Sequence, residues 1–198
     1  MLRNLIQKDG NSKRAEVIAT ELGYLWSNLL QRVPGSTLVL KAVEFSDPEG
    51  SRVLREAFTS RGVGERVRFM PPQESLDEHL AMYGSVDVAL DTFPYHGTTT
   101  TCETLWMGVP VVTLAGDRHA SRVAVSLLTN IGAEEWIART PDEYVEKAAA
   151  LARDTAALAH HRATLRQRMA ASVICDQQAF AARLTGALLE MVGQKRGG

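Results

Sequence analysis

The chain of 198 residues contains little cysteine and carries almost no net charge. Cys102 and Cys175 are its only cysteines, and their wide spacing fits neither a disulfide framework nor a metal site. Such a chain suits a reducing compartment, so we expect a cytoplasmic protein. A net charge of −1, without a block of one sign, argues against nucleic-acid binding, which needs a basic face.

Long hydrophobic runs are also missing. No apolar stretch approaches the ~18 residues that a membrane-spanning helix needs, and the first 24 residues carry charges throughout, unlike a signal peptide. We therefore expect no contact with a membrane. The remaining composition, 45% hydrophobic and 23% charged, is that of an ordinary globular protein, and this length allows one domain with a substantial core.

Helical and strand patterns alternate along the chain, which predicts an α/β fold with a parallel sheet flanked by helices. Apolar residues recur every three or four positions in the helical segments, whereas the strand segments have consecutive apolar residues, as in buried strands. The predicted strands are 36–43, 67–70, 86–91 and 109–113, with a short edge strand at 135–138. The predicted helices are 12–32, 47–60, 75–83, 102–107, 121–129, 140–153, 155–170 and 177–192.

The most informative segment joins a predicted strand to a predicted helix. The strand ends at Asp91, an aromatic–proline loop follows, and Gly97 precedes four consecutive threonines at 98–101. Amide groups at the start of a helix have no intrahelical partner, and the helix dipole favours negative charge there. The junction therefore predicts a phosphate-binding site, which the backbone of Gly97 would let a phosphate approach closely because glycine has no side chain.

A carboxylate follows the threonines at helical spacing. Glu103 lies three and four positions after Thr100 and Thr99, so it shares a face with them on the predicted helix. It could accept hydrogen bonds from a ribose diol whose phosphates lie at the helix start. A structural interpretation remains open, because threonines are ordinary helix caps and the dipole favours an acidic first turn.

The same segment resembles the nucleotide-sugar-binding part of the O-GlcNAc transferase/SPINDLY family, glycosyltransferase family 41. The similarity is carried by DTFPYHGTTTTCETLWMGVPVVT at 91–113 and continues through 115–123 and 127–132. Weaker similarity at 25–26, 32–36 and 68–71 extends it over roughly residues 25–190. The resemblance implies the Rossmann-like C-terminal half of a GT-B glycosyltransferase. It divides the chain into a divergent segment at 1–24, a nucleotide-sugar-binding domain at 25–193 and a tail at 194–198.

The resemblance also implies roles for particular residues. The positions of Thr98, Thr99 and Thr100 hold the donor diphosphate in the family, and the position of Glu103 binds ribose hydroxyls. His79 matches a family histidine near the nucleoside.

Other residues near these positions are further candidates for donor contacts. Tyr83 would share the face of His79 on the predicted helix, and the loop that starts at Pro72 is a candidate for contacts with the base. Three cationic side chains are candidates for phosphate contacts: Lys41 at the end of its strand, His96 before Gly97, and Arg122 after the loop 115–120. Lys41 has an equally ordinary interpretation as a solvated strand-end lysine.

Structural interpretations remain open for two charged residues of the segment. Arg122 has the alternative of pairing with a carboxylate such as Asp91 or Asp117. We expect Asp91 to bond N–H groups of the loop that follows it.

The sequence departs from the family pattern before its first helix. Relatives have a lysine there that neutralises the leaving diphosphate, but the matching region near Val17 contains none, and Lys8 and Lys13 are the nearest. The second catalytic half and the repeat array of many members are also missing from this sequence. The expected partners are accordingly a nucleotide-sugar donor, a protein acceptor, and a missing N-terminal half or a TPR-containing chain. The sequence identifies no catalytic residue, no metal site and no cofactor.

The predicted function is donor binding for a protein O-glycosyltransferase that moves a sugar, GlcNAc from UDP-GlcNAc, to serine or threonine hydroxyls. Two alternatives stay within nucleotide-sugar binding: a non-catalytic module that needs a partner chain, and a fragment of a GDP-fucose-dependent O-fucosyltransferase. An enzyme of another reaction on the same scaffold and a plain interaction domain are the more distant alternatives. The isolated chain is expected to bind nucleotide, whereas transfer would need the missing half.

Overall fold

A computed structural model describes residues 2–5, 22–46 and 48–196, and its centre is a six-stranded parallel sheet. The strand order is β3-β2-β1-β4-β5-β6, and every neighbouring pair is parallel. This is the order of doubly wound sheets, in which the chain starts at the centre and builds first one edge and then the other. The strands are β1 Leu2–Leu5, β2 Leu38–Lys41, β3 Val67–Met70, β4 Val88–Leu90, β5 Val111–Leu114 and β6 Ile137–Ala138.

Helices connect the strands, and further helices come after the last strand in the sequence. Two of them have a side-chain cap at the residue where the predicted helix begins: the Ser75 hydroxyl accepts from the Glu78 N–H in a complete capping box, and Thr140 accepts from the Glu143 N–H. The α-helices within the described residues are α1 Gly23–Arg32, α2 Pro48–Thr59, α3 Leu76–Ala81, α4 Thr99–Trp106, α5 Val123–Asn130, α6 Pro141–Arg153, α7 Thr155–Ala170 and α8 Gln177–Arg196.

Most predicted elements are present, and the differences lie at their ends. α4 begins at Thr99, three residues before its predicted start, because the threonines form its first turn. The edge strand is only Ile137–Ala138, preceded by a 3-10 turn. The predicted start of the first helix at residue 12 lies outside the described residues. So does residue 47, where the second helix is predicted to begin.

The central strand was not predicted from the sequence. Leu2–Leu5 forms β1, which pairs with both β2 and β4 inside the segment that was predicted to be divergent. The four residues LRNL are too few and too polar to produce a recognisable strand pattern. The predicted domain boundary at residue 25 stays a prediction, although this strand joins the same sheet.

Buried polar bonds connect the core to the end of β4. Trp26 of α1 donates its indole N–H to the Tyr144 hydroxyl at 3.3 Å, and Tyr144 donates to the backbone carbonyl of Asp91 at 3.0 Å. Both rings are fully buried. Burial raises the pKa of the Tyr144 phenol, so the hydroxyl stays protonated and able to donate. The helices α1 and α6 therefore fix the point at which the chain leaves the sheet.

The last helix, α8, lies largely in solvent. Its exposed side chains include the large apolar residues Phe180, Leu184 and Leu188. Among the described residues, however, no helix combines the length and the hydrophobicity needed to span a bilayer.

The end of α4 is held by α7. The Arg162 guanidinium donates to the carbonyls of Tyr83 and Met107 at 3.0 Å and also to that of Val86. Gly108 follows in the left-handed region, with φ +79°, and a Cβ there would lie 2.7 Å from the Arg162 carbonyl oxygen. The turn after α4 thus needs glycine for both its conformation and its close approach to α7.

Replacing Gly108 by alanine should therefore destabilise the fold. The variant combines a strained φ with a backbone clash, and we expect Gly108→Ala to lower the free energy of unfolding by about 2–3 kcal/mol. Urea unfolding followed by circular dichroism measures the change. Gly186→Ala in exposed α8, where nothing lies within 4 Å of the added Cβ, should be neutral or stabilising. Equal stabilities for the Gly108 variant and the wild type would contradict this account.

Candidate functional site

The predicted site residues gather at the carboxyl ends of the strands. Lys41 is the last residue of β2, Asp91 follows β4, and the loop that contains Arg122 follows β5. Doubly wound sheets bind their ligands at this edge.

The turn between β4 and α4 is closed by the Asp91 carboxylate. Its Oδ1 accepts the Gly97 N–H at 2.9 Å, and its Oδ2 accepts the Thr113 hydroxyl at 2.7 Å. Burial raises the pKa of this carboxyl, although the hydrogen bonds that it accepts from Gly97 and Thr113 act in the opposite direction. Asp91 bonds a loop N–H, as the sequence analysis expected, and it also ties the turn to β5.

Gly97 serves the packing of this turn. Its N–H is already used by Asp91, so it is not free to donate to a phosphate. A Cβ at Gly97 would lie 3.0 Å from the Thr101 hydroxyl oxygen, which in turn donates to the Gly97 carbonyl at 2.9 Å. Of the predicted diphosphate role of Gly97, one part therefore remains: its missing side chain would let a phosphate approach the backbone closely.

The start of α4 presents open amides to solvent. Thr98 is the N-cap residue but its side chain makes no capping hydrogen bond, and the helical ladder begins with the Cys102 N–H, which donates to the Thr98 carbonyl at 3.1 Å. Thr98 and Thr99 are exposed and Thr100 is partly exposed, whereas Thr101 is buried. The three threonines predicted to hold a diphosphate are thus accessible, at the position where helix amides lack intrahelical partners.

His96 lies inside the protein rather than at the surface of the site. The ring is 1% exposed, its Nε2 is 3.0 Å from the Leu114 carbonyl oxygen, and its Nδ1 accepts the Ala124 N–H at 3.3 Å. Since a carbonyl only accepts, Nε2 carries the proton. The predicted phosphate contact of His96 would require the ring to leave both partners. Its position beside Gly97 in sequence did not reveal that the side chain points inward.

A chain of polar contacts joins three of the predicted residues. The Lys41 ammonium lies 2.5 Å from both the Gln73 amide oxygen and the Nδ1 of His79. The Nε2 of His79 lies 3.0 Å from Oε2 of Glu103, and its ring meets Tyr83 edge to face with centroids 5.5 Å apart. The residues predicted for nucleoside and ribose binding are therefore direct neighbours, and Lys41 lies on their side of the site.

The loop between β3 and α3 borders this chain of contacts. Pro72 is exposed there, which leaves it accessible to a base as predicted, and no contact tests the prediction. Gln73 was not singled out by the sequence analysis, because a glutamine in a loop carries no pattern. Its bond to Lys41 gives it a place in the site.

Arg122 lies beside the predicted diphosphate residues. Its guanidinium is exposed and donates to the Gly116 carbonyl at 3.1 Å, not to a carboxylate. An open depression of about 640 Å³ is lined by Thr98, His119, Arg122 and the exposed face of α5. Arg122 thus remains a candidate for a phosphate contact, and His119 joins it as a residue that the sequence analysis missed.

The loops around this depression hold each other in place. The backbone N–H of His96 donates to the Ala120 carbonyl at 2.8 Å, and that of Gly116 donates to the Ser121 carbonyl at 3.0 Å. A Cβ at Gly116 would lie 2.2 Å from the Ser121 hydroxyl oxygen. Glycine is therefore required where the loop after β5 folds against the turn that precedes α4.

A doubly wound parallel sheet with an uncapped helix start at its carboxyl edge places the chain in the class of Rossmann-like α/β domains, an architecture that many nucleotide-binding proteins share. Comparison with known protein families gives the particular family. The model of Glycosyl transferase family 41 matches residues 17–184, so the chain belongs to that family. This result confirms the resemblance that the sequence showed.

Plant proteins are among the similar relatives. The chain is 39% identical over 183 residues to the probable UDP-N-acetylglucosamine–peptide N-acetylglucosaminyltransferase SPINDLY of Hordeum vulgare, covering 92% of this chain and 19% of that protein. The Arabidopsis thaliana protein of the same name is 40% identical over 183 residues, covering 92% of this chain and 20% of that protein. The chain therefore spans about a fifth of the length of these relatives.

Solved structures agree with the fold. A mutant O-GlcNAc transferase of Thermobaculum terrenum is 40% identical with a TM-score of 0.85, covering 96% of this chain and 35% of that one. HepE of Anabaena, solved in complex with UDP, shares the fold at 19% identity with a TM-score of 0.57. The match covers 93% of this chain and 48% of HepE. The predicted fold class, the Rossmann-like C-terminal half of a GT-B glycosyltransferase, is confirmed.

Removing the Asp91 carboxylate should loosen the turn before α4. Asp91→Ala leaves the Gly97 N–H and the Thr113 hydroxyl without their acceptor inside the protein, so we expect a loss of about 2–4 kcal/mol in the free energy of unfolding. Asp91→Asn should cost clearly less, because its amide oxygen still accepts from Gly97 and its NH₂ can donate to Thr113. Denaturant unfolding measures both changes, with exposed Asp117→Ala as control. A loss for asparagine as large as that for alanine would contradict the assigned bonds.

Proposed function

We propose that the chain is the donor-binding domain of a protein O-glycosyltransferase, which holds a nucleotide sugar for transfer to serine or threonine hydroxyls. The observation that carries the proposal is the arrangement on α4. Open amides and accessible hydroxyls stand at its start, and Glu103 follows one turn later beside His79. Membership of a glycosyltransferase family supports this use of the arrangement.

The diphosphate would lie at the start of α4. Transfer of a sugar from a nucleotide builds negative charge on the departing diphosphate, and preorganised donors aimed at that charge are an effective means of stabilising it. The amides of Thr99 and Thr100 and the helix dipole supply such donors, and Arg122 adds a cation in the adjoining depression. The region near Val17, where relatives have a further lysine, lies outside the described residues.

The ribose would bind at Glu103. One carboxylate oxygen, Oε2, is engaged by His79, and within the described part of the chain Oε1 has no hydrogen-bond donor. Oε1 is therefore free to accept from a ribose hydroxyl. His79 and Tyr83 form the adjacent wall, and the exposed loop at Pro72 would face the base.

UDP-GlcNAc is the donor that we propose. The relatives from Hordeum vulgare and Arabidopsis thaliana carry UDP-N-acetylglucosamine in their names, and HepE of Anabaena was solved with UDP on the same fold. GDP-fucose is the second candidate, because the sequence TFPYHGTTTTCE is closer to SPINDLY-type members of the family, and the resemblance implies that some of these use GDP-fucose. The binding is proposed to need no metal ion.

Transfer itself would need more than this chain. Enzymes position the acceptor and exclude water by enclosing the reacting groups, and the chain matches only 35% of the Thermobaculum terrenum structure. We therefore propose that the unmatched part of such relatives, or a separate chain that corresponds to it, supplies the protein-acceptor site. A cytoplasmic location fits a protein acceptor of this kind.

Nucleotide titration of the purified chain tests the proposal. We expect saturable binding of UDP and UDP-GlcNAc by calorimetry, unchanged by EDTA, and weaker binding of GDP and GDP-fucose. Glu103→Gln should weaken binding by ~10- to 100-fold, because it removes a charged acceptor of about 1.5–3 kcal/mol. Thr99→Ala keeps the amide and should have a smaller effect. Exposed Glu190→Gln on α8 is the matched control.

The outcomes separate the candidate functions. Tighter binding of GDP-fucose would select the fucosyl donor, and binding without hydrolysis or transfer would select a module that depends on a partner chain. Absence of binding at millimolar concentrations of every nucleotide would contradict the proposal altogether.

A further inference from the structure

We propose that Lys41 is a positioning residue of the donor site: it holds His79 in one tautomer and, through His79, aims the Glu103 carboxylate at the ribose. This inference rests on the proposed function, since it concerns the same ribose-binding carboxylate. It replaces a direct phosphate contact, which the sequence suggested for Lys41, by a role that acts through two other side chains.

The direction of the hydrogen bonds follows from the lysine. A lysine ammonium has donors and no acceptor, so Nδ1 of His79, 2.5 Å away, receives its hydrogen bond. In the neutral imidazole the remaining proton is then on Nε2, which donates to Oε2 of Glu103 at 3.0 Å. Each hydrogen bond from Lys41 through His79 to Glu103 therefore has one allowed direction, and Lys41 determines it.

The lysine is held firmly enough to act in this way. It is 7% exposed, at the end of a strand whose four residues are all buried. Its ammonium has a second acceptor in Gln73, from the loop after β3. Tyr83 packs its ring edge to face against His79 and limits rotation of the imidazole. The contacts therefore join β2, the loop before α3, α3 itself and α4.

Loss of the ammonium would change what Glu103 faces. Without a donor at Nδ1, the imidazole is free to carry its proton there, and Nε2 then turns a lone pair toward the carboxylate. Two acceptors at 3.0 Å repel each other, so Glu103 would move from the position in which Oε1 is available to a ribose hydroxyl.

A direct phosphate contact is less compatible with this geometry. Reaching a phosphate at the start of α4 would require Lys41 to leave both Gln73 and His79 and to expose a side chain that is now buried. Arg122, by contrast, is already exposed beside Thr98.

A double-mutant cycle on nucleotide affinity tests whether Lys41 acts through Glu103. Lys41→Met keeps the length of the side chain and removes the donor, and we expect it to weaken UDP binding ~10-fold. Lys147→Met is the control, because Lys147 lies on α6 away from the site and its ammonium donates to the Glu135 carbonyl. This variant should bind UDP as the wild type does. Because Lys41 acts through Glu103, the variant carrying both Lys41→Met and Glu103→Gln should bind no more weakly than Glu103→Gln alone. Additive losses would overturn the proposal.

Nitrogen NMR of the histidine rings supplies a readout that needs no nucleotide. In the neutral imidazole, His79 of the wild type should show a protonated Nε2 and an unprotonated Nδ1. In Lys41→Met the two nitrogens should shift toward a mixture of tautomers. A proton on Nδ1 in the wild type, or an unchanged tautomer in the variant, would overturn the inference. Failure of the wild type to bind any nucleotide would instead contradict the proposed function and leave the NMR result standing.

Discussion

The two oxygens of the Asp91 carboxylate join the parts from which the site is built. One accepts the N–H of the residue before the threonines, and the other accepts the Thr113 hydroxyl on β5. The backbone carbonyl of the same residue receives the Tyr144 hydroxyl, which Trp26 bonds in turn. Because a helix start binds an anion only where its amides point, this buried carboxylate determines where α4 can present its donors.

The sequence predicted the elements whose signals are local. Caps such as Ser75 and Thr140 bond their own first turns, so their effect is visible within four residues. The parallel sheet followed from the alternation of helices and strands. β1 could not be predicted in the same way, because Leu2–Leu5 is a strand by virtue of its neighbours β2 and β4, which are distant in sequence.

The direction of a side chain was harder to predict than the place of its residue. His96 and Thr98 flank Gly97, yet the imidazole is buried against the Leu114 carbonyl while the threonine faces solvent. Lys41 was correctly expected at the end of its strand, but its contacts with Gln73 and His79 depend on a loop and a helix that follow it by more than 30 residues. Residue type and position in a strand do not specify such long-range partners.

The polar groups around the start of α4 are of two kinds: some are hydrogen-bonded inside the protein, and others are open to solvent. The Gly97 N–H and the Thr101 hydroxyl are satisfied inside the protein, and breaking those bonds would cost stability. The amides of Thr99 and Thr100 are open to solvent at a helix start, so an anion can replace water there without breaking a native bond. With a net charge of only −1, the chain offers no strong overall field to an anionic ligand. The nucleotide affinity that we propose would therefore come from these few short-range donors, and it would depend on how precisely the buried bonds hold them.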